Sequence, residues 1–270
     1  MAKKGNCELV FPNITAALNV LIRMDDRNEI KNSFGLLLIC SAITVVLWFI
    51  PFIGFITYPF RMFVTLIHES GHALAALITF GSVQRITLDW NGSGLTWTNG
   101  GIRLFVSSAG YMGATVYGAL LLLLLRRVSM ARITAVGTAV MLLFITVFLG
   151  GNFTVWAVGL FFGIGLLALG GLASSKVVHF FMSFLAVQSL LNALFDLRTV
   201  LYISAFAPGQ PSDAQNMARA TNNFIPAIAW SAGWALASLV ILAFTLRIYY
   251  RSVRTSGVAG VNASTNTATV

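Results

Sequence analysis

The sequence predicts an all-α polytopic membrane protein of about six to seven transmembrane helices, with a small β-hairpin at the membrane surface. Three observations carry that expectation. Hydrophobic residues make up 57% of the 270 residues and charged residues only 9%, against about a quarter charged in soluble domains. Apolar runs recur that approach the ~20 residues a bilayer-spanning helix needs. One stretch between two of these runs, residues 82–101, alternates instead of staying apolar.

Taken in order, the chain opens with Lys3 and Lys4, but the apolar stretch that follows is broken by Pro12, Asn13 and Asn19. No small-residue cleavage site follows it, so residues 1–33 read as a polar leader with one short surface helix. Spans are predicted at roughly 35–57, 61–80, 104–125, 131–149, 153–172, 177–200 and 224–247. Between the second and third, QRITLDW and LTWTNGG flank the turn NGSG, which is the pattern of two strands around a tight connection. Breaks such as RRVSMAR and GGNF part the later spans. Residues 34–254 thus form one transmembrane domain, and residues 255–270, TSGVAGVNASTNTATV, read as a disordered tail.

The net charge of +9 reflects scarce acids, 8 against 17 Lys and Arg. The basic residues sit singly or in small groups beside apolar runs, as juxtamembrane anchors do. The expected partner is therefore the lipid bilayer. A basic stripe with interleaved aromatics is missing, so no nucleic-acid partner is expected. Cys7 and Cys40 lie in unrelated contexts and offer neither a metal pair nor a disulfide framework. The basic leader and the short RRVSMAR loop favour opposite orientations, and nothing in the pattern fixes an oligomeric state.

Among the eight acids, only Glu69 and Asp196 fall in apolar spans. A charge at mid-bilayer costs at least ~2.5–3.5 kcal/mol, so such a residue is a functional candidate. Glu69 belongs to HESGH, a fit to H-E-x-x-H. Residues four apart share a helix face, so His68 and His72 can present ring nitrogens to one ion. Zn2+ is the expected cofactor. Glu69, at the same depth, can take a proton from a water that the metal has acidified. The competing reading is a polar packing cluster between helices.

Catalytic zinc takes three protein ligands and keeps one position open. Asp196, in QSLLNALFDLRTVLY, is the expected third ligand, with Asn192 one turn earlier to hydrogen-bond the carboxylate or polarise a substrate carbonyl. A salt bridge from Asp196 to Arg198 or another interfacial Arg is the alternative. Depth agrees less neatly, because His68 is early in its predicted span and Asp196 late in its own. His179, beside Lys176, reads as a structural histidine at the interface. Asp213 in PSDAQNMARAT reads as an N-cap, and Asp89 as a solvated hairpin residue.

HESGH in a spanning helix, a hairpin after it and an Asp on a later span together resemble the site-2 protease family of intramembrane zinc metalloproteases, specifically its peptidase M50B-like branch. The resemblance covers about residues 60–230. It implies His68, His72 and Asp196 as zinc ligands, Glu69 as general base, and transmembrane protein substrates. It also implies that the hairpin, residues 84–99, presents an unwound substrate strand by β-addition. Where the family has Leu-Asp-Gly this chain has Phe-Asp-Leu, and two extra spans separate hairpin and Asp helix. The alternatives are a non-catalytic metal-binding scaffold or pseudoprotease and, less favoured by the uncharged later spans, a transporter.

Overall fold

Inside a bilayer every backbone amide must be paired within its own segment, so apolar runs have little choice but to become helices. A computed structural model of the chain describes residues 32–44, 46, 54–207 and 209–266, with side chains as far as Ser252. The predicted leader lies outside the described residues, apart from its last two positions. The first helix, α1 (Asn32–Thr44), is apolar but short. Then come α2 (Gly54–Ile78), β1 (Ser82–Leu88), β2 (Gly94–Asn99), α3 (Arg103–Leu124), α4 (Met130–Leu149), α5 (Phe153–Leu172), α6 (Ser175–Phe206), α7 (Asp213–Ala220) and α8 (Ala227–Asn266).

Five of the described helices, α3, α4, α5, α6 and α8, are long and apolar enough to cross a membrane. With 25 residues α2 has the length as well, but Arg61, His68, Glu69 and His72 dilute its apolar character. It begins at Gly54, not near residue 61 as the spacing predicts, because Pro59 is accommodated close to its start. A proline there forfeits one early hydrogen bond without ending the helix. His68 consequently sits in the middle of its helix, and the predicted mismatch of depth with Asp196 shrinks. At the other end, α8 continues to Asn266 through residues that composition assigned to a disordered tail. Extension of a formed helix needs no new nucleus.

The central helix is α3, which packs against α2, α6, α7 and α8. α4 and α5 form a pair at one side of the bundle, against α6 and the hairpin. The short α7 folds back on the bundle by burying Ala214, Met217 and Ala218, one face at i, i+3, i+4 spacing. These meet Leu197 and Val200 of α6 and Trp234 of α8.

The hairpin pairs antiparallel, from Ser82 opposite Asn99 to Leu88 opposite Gly94, with a register shift between Val83 and Arg85. Ile86 and Leu88 are fully buried, as strand alternation requires of one face. The GGNF break has a structural use that its sequence did not announce. Gly150 bridges Ile86 in parallel, and the Gly151 amide donates to the Ile86 carbonyl at 2.8 Å. Asn152 grips Leu88 at both ends of its amide, accepting from its N–H at 3.3 Å and donating to its carbonyl at 2.8 Å. The same Oδ1 caps α5 through the Val155 N–H at 3.2 Å. The outer edge of β1 is thereby closed by the α4–α5 connection.

Replacing Asn152 by Ala removes a cap and leaves two backbone groups of Leu88 unpaired, together worth about 1–3 kcal/mol. The expected result is a melting temperature lower by about 3–10 °C in detergent, followed by intrinsic fluorescence. Asn152→Asp, which keeps the accepting oxygen and loses the donor, should fall between. An unchanged melting curve for both variants would remove the clasp from the stability of the fold.

Candidate metal centre

Helical spacing brings His68 and His72 together on α2, with ring centroids 4.8 Å apart and their Nε2 atoms 3.0 Å apart. The His72 Nδ1 lies 2.6 Å from the carbonyl oxygen of Val106 on α3. A carbonyl only accepts, so Nδ1 carries a hydrogen toward Val106, and Nε2 is the atom turned toward His68. His68 packs edge-on against Tyr111, 4.5 Å between centroids, and Tyr111 stacks at 5.5 Å on Trp234. Trp234 in turn donates from Nε1 to the Ser108 hydroxyl at 3.2 Å. The approach of α3 that permits all this depends on small residues. A Cβ at Gly71 would run into the Ala109 backbone, and one at Gly110 would overlap the Nε2 atoms of both histidines.

The carboxylate that reaches the imidazoles is Asp213. Its Oδ2 lies 3.2 Å from His68 Nε2 and 3.3 Å from His72 Nε2. With the 3.0 Å between the two nitrogens, three donor atoms form a nearly equilateral triangle. Ligands of tetrahedral zinc, bonded at ~2.0–2.1 Å, are separated by about 3.3 Å. The donor set and its spacing therefore fit such an ion. Ser212, not Asp213, caps α7, accepting from the Gln215 N–H at 3.2 Å. Asp213, one residue on, is free to face the histidines. Burial pushes its carboxyl up, but the adjacent His72 and His68 pull harder, and the net effect holds it well below the usual carboxylate range.

Glu69 is buried, and its carboxylate oxygen is within 4.8 Å of the imidazole nitrogens. The Thr96 hydroxyl of β2 is 2.6 Å from Glu69 Oε2 and 3.0 Å from the Glu69 carbonyl oxygen. A hydroxyl has one proton, and the shorter, charge-assisted contact to the carboxylate takes it. A cavity of about 420 Å3 opens onto these groups, walled by β2, α6 and the start of α7.

Of the residues singled out from the sequence, His68, Glu69 and His72 converge. Asp196 lines the same cavity, yet the carboxylate on both imidazoles belongs to Asp213. Asn192 turns back along α6, donating to the Gln188 carbonyl at 2.9 Å, and does not line the cavity. His179 lies outside it, donating from Nε2 to the Leu125 carbonyl at 2.8 Å. Sequence reasoning passed over Asp213, Thr96, Tyr111 and the Val106 carbonyl. For Asp213 a signal existed: in SDA two cap-forming residues stand side by side, and only one of them can cap.

A family model described as Peptidase M50B-like matches residues 37–245. No curated protein and no solved structure matches the chain.

Alanine at His68, His72 or Asp213 should strip stoichiometric zinc from the purified protein, measured by mass spectrometry of the metal, while Asn192→Ala keeps it. Zinc retained at full occupancy by Asp213→Ala would exclude its carboxylate from the ligand set.

Proposed function

The chain belongs to the Peptidase M50B-like family, and on that premise we propose that it is an intramembrane zinc metalloendopeptidase. It would hydrolyse peptide bonds in or near the transmembrane segments of other membrane proteins. The protein itself is integral and multi-pass, with five described helices able to cross a bilayer. The observation that carries the reading is the triangle of His68 Nε2, His72 Nε2 and Asp213 Oδ2 with the Glu69 carboxylate beside it.

Those three atoms would hold the ion. When bound, zinc supplies Lewis acidity and brings the pKa of a water near 7. Glu69 accepts the proton of the attacking water and returns it to the leaving amine nitrogen, as a general base and then a general acid. Thr96 holds one oxygen of that carboxylate by hydrogen bond and leaves the other to take the proton. Val106 fixes the His72 tautomer by accepting from Nδ1.

A substrate helix already uses its own carbonyls, so it must unwind before one is attacked. Gly94, Leu95, Thr96 and Thr98 of β2 line the cavity, while the edge of β1 is taken by Gly150, Gly151 and Asn152. This supports β2 as the edge on which an unwound strand adds, its main-chain groups pairing with those of the hairpin.

Glu69→Gln is expected to keep its zinc and to lose cleavage of a model transmembrane substrate in liposomes by about 10²–10⁴-fold. Thr96→Val should lower kcat by a smaller factor, with KM little changed. Full turnover by Glu69→Gln would remove Glu69 from the chemistry. Stoichiometric zinc in a wild-type protein that cleaves no substrate would favour the metal-binding scaffold instead.

A further inference from the structure

The donor triangle leaves Asp196 without a task, although a carboxylate on a spanning helix is costly. Its helix walls the cavity with Asp196, Thr199, Val200 and Ile203, and no Lys or Arg lines that cavity. Among the described residues, neither a hydrogen bond nor an ion pair within 4.0 Å reaches the Asp196 carboxylate. Arg61 and His68 are near enough for their charge to act on it. The Arg61 guanidinium, however, packs against Gly92 in the hairpin turn, and His68 belongs to the triangle. The charges of Glu69 and Asp213 match a divalent ion, so Asp196 is the surplus negative charge of the site.

We propose that Asp196 determines specificity: its carboxylate receives a lysine or arginine side chain of the substrate strand beside the scissile bond. The proposal rests on the proteolytic reading and names the substrate class within it. Transmembrane segments carry Lys and Arg at their flanks, on long stems that reach from apolar surface to a polar partner. A half-buried carboxylate without a side-chain partner selects that flank over the uncharged middle of the segment, because a cation offsets its desolvation. The cut then falls near the basic end of the substrate's span.

The test uses a fluorescein-labelled, Leu/Ala-rich transmembrane peptide in detergent micelles, with Lys, Met or Glu placed one position at a time along one flank. Binding is read by anisotropy on the zinc-loaded Glu69→Gln protein. At one register position Lys should bind at least about tenfold more tightly than Met, which has a similar length without the charge. Asp196→Asn in the same background should bring that ratio to near one, and Asp196→Lys should turn the preference toward Glu. Equal affinity for Lys and Met at every position overturns the proposal, as does a ratio that survives Asp196→Asn. Loss of zinc from Asp196→Asn with retention in Asp213→Asn overturns it too, by making Asp196 a ligand. Cleavage of the same peptides by wild-type protein reports separately on the proteolytic reading. Selective binding without cleavage defeats that reading and leaves the cation subsite standing.

Discussion

Three polar atoms that converge on one point, Nε2 of His68, Nε2 of His72 and Oδ2 of Asp213, are the constraint around which the rest is arranged. With its Nδ1 hydrogen committed to Val106, His72 turns Nε2 toward His68, and the Asp213 carboxylate completes the set at 3.2–3.3 Å. In a low-dielectric interior such donors repel one another unless positive charge lies between them. A proton held between imidazole and carboxylate or a metal ion would each supply that charge, and the spacing of the three atoms suits the ion.

Holding that point fixed takes contributions from four helices. The Gly71 and Gly110 contact lets α3 close on α2, so that a backbone carbonyl can set a tautomer. Tyr111 and Trp234 carry the alignment of His68 across to α8. The apolar face of α7 seats Asp213 by burying Ala214, Met217 and Ala218. None of these partners supplies an atom of the triangle, yet each removes a freedom that one of its three side chains would otherwise have.

What the sequence disclosed follows from which signals are local. HESGH was legible because helical spacing alone brings its histidines together, and because polar residues are conspicuous in an apolar run. The hairpin was legible from alternation, and the spans from hydropathy. Asp213 was not, since its role depends on how α7 turns back onto the bundle, which is a tertiary fact. Read locally, a Ser-Asp pair before a short helix signals a cap, and the structure gives that duty to Ser212. The Val106 carbonyl has no side-chain signature at all. Asp196 lines the cavity wall, while the carboxylate 3.2–3.3 Å from the imidazoles is that of Asp213, and depth along an apolar run does not tell those two positions apart.

The α4–α5 pair lies between the hairpin and the Asp196 helix in sequence, and its connection supplies something that the metal centre cannot. An isolated two-stranded hairpin is marginally stable, and its two edges offer two places for a strand to add. Gly150, Gly151 and Asn152 act as a short third strand along β1, which both steadies the hairpin and uses up one edge. Only β2 then remains to line the cavity, with Thr96 on the Glu69 carboxylate. Since Asn152 caps α5 with the same oxygen that holds Leu88, the position of β2 is tied to a spanning helix rather than to the loop alone. The strand that contacts Glu69 is registered against the bundle, and with it the spacing between the β2 edge and the donor triangle.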